Sequence, residues 1–331
     1  MNPDASKFQG ILGGEITDFL RHQRALGKRF LNEERGLRLF DQYLVDQKVG
    51  TVAEITPELV DAFLASRPRT RPRSYNLLLS TVRRLFKWLV RQARLSQSPV
   101  QSRPRHATAS QVTFLFDRSQ AQQLLKLAAE LPDNNNGRNR GRIYFMIFAL
   151  MYGLGLRVGE VTRLCRQDVD LERKLLIIRE TKFLKSRLVP FGPKLEARIR
   201  EYLQQQTESE GALDPTTPLF SFGPDRSKAI NPGTISQTFH ALWPRLGLKV
   251  PTGAALPRLH CLRHSFAVGT LLRWYRSGIN PQQRLWDLST FMGHVHPAST
   301  AVYLTITVEL LDQANQRFNR FAAPLLKEVT R

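Results

Sequence analysis

The 331-residue sequence lacks the features that mark secreted and membrane proteins. Its two cysteines, Cys165 and Cys261, are too few for a disulfide framework or a zinc site, so we expect reduced thiols. The longest apolar run, Ile143–Leu156, has 14 residues and includes two glycines, whereas a membrane-spanning helix needs about 20 apolar residues. The opening ten residues carry neither the basic region nor the apolar region of a signal peptide. We therefore expect a soluble, cytoplasmic protein with no membrane partner.

Acidic residues are also scarce. The chain has 28 Asp and Glu against 49 Lys and Arg, which gives a formal net charge of +21. Between Asp61 and Asp117, 55 consecutive residues contain no acid and include 11 Lys or Arg. Positive charge that served only solubility would be scattered along the chain. Clustered positive charge is typical of a protein that binds a polyanion, most commonly nucleic acid.

Hydrophobic residues make up 42% of the chain, enough for sizeable cores, and its length indicates two domains at roughly 150 residues each. Residues 99–111 are mostly polar and contain two prolines, Pro99 and Pro104, which is typical of an interdomain linker. We therefore expect a helical domain over residues 1–98 and a second domain over residues 112–331. In the second domain, residues 174–182 alternate like a strand and residues 186–191 return across a turn. The predicted fold is mainly α with a small antiparallel β-sheet.

The longest helix predicted in the first domain, Ser74–Arg94, carries a row of cations opposite its apolar stripe. The rise per residue spaces these cations by about 5 Å along the axis. No acid lies four positions from them, so the row is not an intrahelical salt-bridge ladder, and we expect it to contact phosphates. A basic connector broken by prolines precedes this helix. The candidate DNA-binding residues are Arg67, Arg69, Arg71 and Arg73 in the connector and Arg84, Lys87, Arg91 and Arg94 on the helix.

Four short segments of the second domain could carry chemistry. They are Gly153–Leu–Gly–Leu–Arg157–Val–Gly–Glu160, the turn Glu180–Thr–Lys182–Phe–Leu–Lys185, His260–Cys–Leu–Arg263–His264–Ser–Phe–Ala267, and Phe291–Met–Gly293–His294 with Tyr303 nine residues later. A glycine turn would place Arg157 at a helix N-terminus, where the helix dipole favours an anion. His260 and Arg263 would share one helix face, which suits the oxygens of a phosphate. His264 alone does not complete a zinc site beside them.

Each segment alone has an ordinary structural explanation, but together they have the order and approximate spacing of one family. The sequence resembles the tyrosine recombinase (phage integrase) family from about residue 112 to residue 311, including the hairpin text Arg187–Leu–Val–Pro190. The basic N-terminal segment resembles the core-binding domain of that family more loosely. One departure is a longer stretch between Arg263 and His294, with an extra segment over Trp274–Trp286. The resemblance implies a two-domain DNA clamp with an α+β catalytic domain.

The resemblance also implies a role for each matched residue. The expected catalytic residues are Arg157 and Arg263 as a clamp on the scissile phosphate, His260 and His294 as the rest of its cradle, Lys182 as the general acid for the leaving 5′-oxygen, Tyr303 as the nucleophile and Glu160 as the support of the cluster. Lys185 is the alternative general acid. Arginine and histidine supply donors where negative charge develops, and the lysine makes the sugar hydroxyl a feasible leaving group. We therefore expect neither a metal nor any other cofactor.

Three functions remain open from the sequence. The leading one is a site-specific recombinase that cleaves and rejoins double-stranded DNA through a 3′-phosphotyrosyl intermediate, in the integration, excision or transposition of a mobile element. The alternatives are DNA relaxation of the type IB topoisomerase kind and a DNA-binding protein that has lost catalysis; no substitution at Arg157, Arg263 or Tyr303 supports the last. The resemblance implies a homo-tetramer on two DNA sites, possibly with accessory recombination proteins. An apolar stripe around Val308–Phe321 would contact a neighbouring subunit or pack on its own domain.

Overall fold

The computed structural model describes residues 8–106, 112–135, 137–179, 186–211, 213–223, 226–294 and 296–305, together with residues 312, 315 and 316. The chain forms two compact units, residues 1–110 and 111–331. None of the helices in the described ranges combines the length and apolar character needed to cross a bilayer.

The first unit is built from four helices. They are α1 (Gly13–Ala25), α2 (Leu31–Asp46), α3 (Pro57–Ser66) and α4 (Pro72–Arg91), with a 3₁₀ turn at Val52–Glu54. Helix α3 begins where its sequence indicates, because the Thr56 side chain accepts the backbone N–H of Leu59. Pro57 occupies its first turn, where no N–H is needed. Helix α4 ends at Arg91, three residues before the predicted end.

Aromatic residues join three of these helices. The ring of Phe40 on α2 lies 4.9 Å from that of Phe63 on α3 and 5.9 Å from that of Phe86 on α4, both in edge-to-face contact. All three side chains are completely buried. Burial of one such side chain contributes roughly 1.5–3 kcal/mol. The apolar stripe that predicted α4 is therefore the side of the helix that faces this core.

Residues 95–106 have no regular secondary structure, and hydrogen bonds hold part of this segment against the first unit. Asn76 on α4 exchanges two hydrogen bonds with the backbone of Arg105, each 2.8 Å long. Arg83 donates to the carbonyl of Ser102. The described part of the predicted linker, residues 99–106, is thus bonded to α4, and residues 107–111 lie outside the described ranges.

The second unit combines eight helices in the described residues with one small sheet. Its elements are α5 (Arg118–Ala129), α6 (Arg140–Leu154), α7 (Val158–Val161), β1 (Val169–Asp170), β2 (Leu175–Ile178), β3 (Arg187–Pro190), α8 (Pro193–Glu210), α9 (Pro232–Leu242), α10 (Cys261–Arg276), α11 (Leu285–Met292) and α12 (Ala298–Ala301), with 3₁₀ turns at Arg166–Asp168, Trp243–Leu246 and Val302–Thr305. The predicted mainly helical fold with a small antiparallel sheet is confirmed. The predicted extra segment over residues 274–286 comprises the end of α10, a loop and the start of α11.

The sheet has the strand order β1-β2-β3, and both pairings are antiparallel. Leu176 pairs with Val189, and both are completely buried on the face that meets the core. The pairing confirms the predicted return of the chain across a turn, whose residues 180–185 lie outside the described ranges. Its register brings Arg187, the first residue of β3, next to Ile178 at the end of β2.

The end of α6 is fixed against α10 by one glycine. Gly155 follows α6 with a φ of +62°, and a Cβ there would lie 2.4 Å from the Phe266 ring on α10. A larger residue would meet both backbone strain and a clash. This close approach positions Arg157, two residues later, beside the start of α10.

Candidate active site

Three segments that are distant in sequence meet the start of α10. They are the turn after α6, the start of β3 and the turn after α11. Arg157 donates from Nη2 to the carbonyl of Gly293 at 3.0 Å, and Arg263 donates from Nη2 to the carbonyl of Met292 at 2.8 Å. Because both side chains bond to adjacent carbonyls after α11, the two guanidinium groups are held next to each other.

The carboxylate of Glu160 lies at the centre of this cluster and is almost fully buried. It accepts from Nη1 of Arg157 at 2.7 Å, from the backbone N–H of Arg157 at 2.9 Å, and from Nη1 and Nη2 of Arg187 at 3.0 Å each. Burial alone would raise the pKa of Glu160. The hydrogen bonds and positive charge of Arg187, followed by those of Arg157, outweigh burial and lower the pKa to about 2. Glu160, the expected support of the cluster, therefore lies in contact with Arg157 and Arg187.

Arg187 is a member of the cluster that sequence reasoning missed. It forms a bidentate salt bridge with Glu160, and its Nε donates to the carbonyl of Phe291 at 2.9 Å. It therefore links β3 to the end of α11. Arg187 could have been found from the sequence, because it is the first residue of the hairpin segment Arg187–Leu–Val–Pro190 that resembles the family.

Gly293 allows Arg187 to reach this position. Its φ of +67° favours glycine, and a Cβ there would lie 2.7 Å from Nη1 and 2.9 Å from Cζ of Arg187. The same turn supplies the carbonyl that orients Arg157. The glycine before His294 is thus required by backbone conformation and by space for a guanidinium group.

Arg263 is completely buried, which is unusual for arginine. Its Nη1 donates to the carbonyl of Gly155, but its buried Nε donates to no group in the described part of the chain. Burial, and then the charge of Arg157, lower the pKa of Arg263 to about 10, so it remains protonated at neutral pH. A buried N–H that lacks an acceptor costs about 1–3 kcal/mol, and a substrate oxygen could provide that acceptor.

Three histidines surround the arginines. Burial, followed by the charge of Arg263, lowers the pKa of His264 and of His294 to about 4. The pKa of His260 is also lowered to about 4, although this side chain keeps contact with solvent. Desolvation by the many protein atoms around it is the main cause, and the charges of His264 and Arg263 lower the pKa further. His294 is oriented by a 2.6 Å hydrogen bond between Nδ1 and the buried hydroxyl of Thr300. All three histidines are therefore neutral at pH 7.

Tyr303 lies among these histidines, with 4% of its surface exposed. Its hydroxyl is 2.9 Å from Nδ1 of His264, and its ring is nearly parallel to that of His294 at 6.3 Å between centroids. Burial raises the pKa of Tyr303, although the charges of Arg263 and Arg157 oppose the rise. The contact with His264 was not expected from the sequence.

Six of the seven expected catalytic residues are brought together. They are Arg157, Glu160, His260, Arg263, His294 and Tyr303. Lys182 and its alternative Lys185 lie outside the described residues. One detail of the sequence argument is wrong. Helix α7 has four residues, too few for a substantial dipole, so Arg157 would attract an anion through its side chain.

Two of the four cations in the expected DNA-binding row of the first unit lie close to acids. Arg84 lies 3.7 Å from a carboxylate oxygen of Glu33, and Arg94, which lies beyond the end of α4, is 3.4 Å from Glu15. These acids come from α1 and α2, so a search for acids within one helix could not find them. The other two cations of the row, Lys87 and Arg91, are exposed and form no ion pair in the described chain. In the basic connector, Arg67, Arg69 and Arg71 lie between α3 and α4, whereas Arg73 lies in the first turn of α4.

Comparison with known proteins decides the family. Residues 115–309 match the model of the phage integrase family, and residues 17–93 match the model of its N-terminal SAM-like domain. The chain belongs to the phage integrase family. The putative integrase/recombinase y4rB of Sinorhizobium fredii is 34% identical to this recombinase over 310 residues, which cover 92% of this chain and 96% of that protein. Tyrosine recombinase XerC of Haemophilus influenzae is 26% identical over 314 residues, with the same coverage of 92% and 96%.

Solved structures agree with this fold. A structure of the Tn1549 transposon integrase with transposon right end DNA superposes on this recombinase with a TM-score of 0.63 and 16% identity, covering 93% of this chain and 98% of that one. The chain is a tyrosine recombinase, an enzyme that cleaves and rejoins DNA strands at specific sites. The comparisons favour neither DNA relaxation nor a DNA-binding protein without catalysis.

Proposed function

We propose that this recombinase exchanges strands between two double-stranded DNA sites through a covalent 3′-phosphotyrosyl intermediate on Tyr303. The observation that carries the proposal is the position of the Tyr303 hydroxyl, inside a cluster that also contains the buried Nε of Arg263, which lacks an acceptor in the described chain. A non-bridging phosphate oxygen would satisfy that donor. The neighbouring phosphorus atom would then lie within reach of the tyrosine oxygen.

The charge of the cluster suits the reaction. Arg157, Arg187 and Arg263 are each positive and Glu160 is negative, which leaves two positive charges in the site. The pentacoordinate phosphorane formed during attack carries about two negative charges. Donors that are already in place where charge develops need no reorganisation, and the loss of one such donor typically slows a reaction by roughly 10²–10³-fold.

The histidines would contribute as neutral donors. His294 has Nδ1 bonded to Thr300, so its Nε2 would face a phosphate oxygen. His260 lies at the start of α10, one turn before His264, and would meet the phosphate from the exposed side of the site. A neutral imidazole has one N–H for this purpose, and it would bind more tightly as the phosphate gains charge.

The bonds change in two balanced steps. The Tyr303 oxygen attacks phosphorus as its proton passes to a base, the bond to the 5′-oxygen breaks, and Lys182 donates a proton to that oxygen. In the second step a 5′-hydroxyl of another strand attacks the phosphotyrosine and gives its proton to the lysine, and the tyrosine oxygen leaves and takes its proton back from the base. The ester conserves the energy of the broken bond, so resealing requires no nucleotide.

A nicked duplex that traps the covalent product tests the nucleophile. Tyr303→Phe should form no protein–DNA adduct while its DNA binding stays within a few-fold of wild type, because only a hydroxyl is removed. Tyr275→Phe, on the outer turns of α10, is the matched control and should form the adduct at the wild-type rate. An adduct formed by Tyr303→Phe would refute the assignment.

The same proposal divides the chain into a DNA-binding domain over residues 1–98, a linker over 99–111 and a catalytic domain over 112–331. Lys87 and Arg91 support DNA contact by the first domain, because both are exposed and neither forms an ion pair in the described chain. The proposed DNA contacts also include the connector arginines at the other end of α4.

We also propose that the recombinase acts in the cytoplasm as a homo-tetramer on two sites, in pairs of active subunits. The predicted contact helix around Val308–Phe321 lies mostly outside the described residues. Truncation after Thr307 should preserve DNA binding and abolish synapsis and recombination. Synapsis at the wild-type level by the truncated chain would refute the contact between subunits.

The likeness to y4rB, named an integrase/recombinase, and to a transposon integrase solved with transposon end DNA supports a mobile element as the substrate, with accessory proteins as further partners. The DNA flanking the gene should then contain inverted repeats that bound an element, and the recombinase should cleave a duplex carrying one of them. Absence of cleavage at every such repeat would contradict this substrate.

A further inference from the structure

The side chain of His264 contacts the reacting oxygen of Tyr303. Its Nδ1 lies 2.9 Å from the hydroxyl, and the two ring centroids are 5.4 Å apart. His264 belongs to α10, one turn after His260 and next to Arg263, whereas Tyr303 comes from the 3₁₀ turn at Val302–Thr305. The contact therefore exists only in the folded domain.

The direction of this hydrogen bond follows from the protonation of the two groups. The phenol is protonated at neutral pH, because burial raises its pKa above the ordinary value of 10. The imidazole is neutral, because burial and then the charge of Arg263 lower its pKa to about 4. The phenol therefore donates, Nδ1 of His264 accepts, and the imidazole proton is on Nε2.

Other bases in the described part of the site are less suitable. Both oxygens of Glu160 are occupied by Arg157 and Arg187, and its pKa of about 2 makes it a weak proton acceptor. Nδ1 of His294 is bonded to Thr300. His264 alone among these groups is within hydrogen-bond distance of the phenol.

We propose that His264 is the general base that receives the proton of Tyr303 as the tyrosine oxygen attacks phosphorus. This inference rests on the proposed role of Tyr303 as nucleophile. As the oxygen–phosphorus bond forms, the phenolic proton moves to Nδ1, the bond to the 5′-oxygen breaks, and Lys182 protonates that oxygen. In the resealing step the imidazolium returns the proton to the tyrosine oxygen, and the lysine takes the proton of the attacking 5′-hydroxyl.

Substrate binding would strengthen this base. The positive charge that lowers the basicity of His264 in the free enzyme belongs to Arg263. A phosphodiester bound to Arg263 brings one negative charge next to that guanidinium group, and the phosphorane brings about two. The imidazole consequently becomes more basic at the stage when the phenol loses its proton.

The test is single-turnover cleavage of a nicked duplex by His264→Asn and His264→Ala. The scissile 5′-oxygen is replaced by sulfur, a leaving group that needs no protonation by Lys182. Asparagine can keep the hydrogen bond to Tyr303 but cannot accept its proton. We expect both variants to cleave roughly 10²–10⁴-fold more slowly while binding DNA within a few-fold of wild type. The control His240→Asn, on α9, should cleave at the wild-type rate.

The pH profile separates proton acceptance from a structural role. Between pH 7 and pH 9, Arg263 stays charged, His260 and His294 stay neutral, and Tyr303 stays protonated. His264 is then also neutral, so the wild-type rate should be flat. Without the base, the proton must pass to solvent, so the rates of both variants should rise with pH. Added imidazole should partly rescue His264→Ala.

The outcomes distinguish this inference from the function on which it rests. If His264→Asn cleaves at the wild-type rate, or if its cleavage rate is independent of pH as in wild type, the proposal that His264 accepts the proton is refuted. If His264→Ala unfolds at a much lower temperature than wild type, the nearly isosteric His264→Asn decides the question. An adduct formed by Tyr303→Phe in the parallel reaction would instead refute the nucleophile itself.

Discussion

Neutralising the central carboxylate, by Glu160→Gln, should destabilise the second unit strongly. The pKa of Glu160 falls from 4.5 to about 2 in the folded protein. A difference of this size corresponds to about 3 kcal/mol of stability at pH 7. Gln also places an NH₂ group against arginine donors, and breaking a buried pair on one side generally costs about 3–5 kcal/mol. We expect a loss of about 3–5 kcal/mol in the free energy of unfolding.

The same reasoning predicts how the stability of the second unit changes with pH. Because the folded pKa of Glu160 lies below the unfolded value, its stabilisation is complete above about pH 4.5 and is lost as the pH falls towards 2. Wild type should therefore lose stability over this range more steeply than Glu160→Gln.

Urea unfolding followed by tryptophan fluorescence measures both effects. Trp88 is the one tryptophan of residues 1–110, so a Trp88→Phe background reports on the second unit alone. Glu196→Gln, which removes a half-buried surface acid paired with the exposed cations Lys174 and Arg200, should cost a small fraction of that loss. A loss below 1 kcal/mol for Glu160→Gln, or an acid dependence equal to that of wild type, would refute the reasoning.

Three further predictions concern the site and the DNA surface. Gly293→Ala should lower the cleavage rate at least roughly 10-fold, because its Cβ displaces Arg187; cleavage at the wild-type rate would contradict this. Arg263→Ala should abolish adduct formation while gel-shift affinity stays within a few-fold; a parallel loss of both would make it a general DNA contact. Replacing Lys87 and Arg91 with Gln should reduce the slope of log affinity against log salt by about 2, whereas an unchanged slope would show that these cations face solvent.

Much of the site could be predicted because its residues lie in short motifs. The spacing of His260 and Arg263 places both at the start of one helix, and the structure has that helix begin at Cys261. The alternation of Leu176, Ile178 and Val189 indicated the paired strands, since period two is a property of the local chain. The core stripe of α4 was visible for the same reason.

Hydrogen bonds between distant segments could not be predicted in this way. Arg187 meets Glu160 across 27 residues and Phe291 across 104, and His264 meets Tyr303 across 39. The ion pairs of the cations at the two ends of the expected DNA-binding row could not be found from the sequence, because their acids lie on α1 and α2. Such pairs depend on which helix packs against which, and no local spacing encodes that choice.

The sequence by itself determined the family, the mainly helical fold and the residue types of the reaction, because each is carried by local patterns and by motifs in a fixed order. Only the tertiary structure decided the electrostatics of the site. The hydrogen bonds and charges of Arg187 and Arg157 lower the pKa of the Glu160 carboxylate against the effect of its burial, and desolvation beside Arg263 keeps the three histidines neutral. A side chain's protonation depends on its solvent and its charged neighbours, and packing sets both of these.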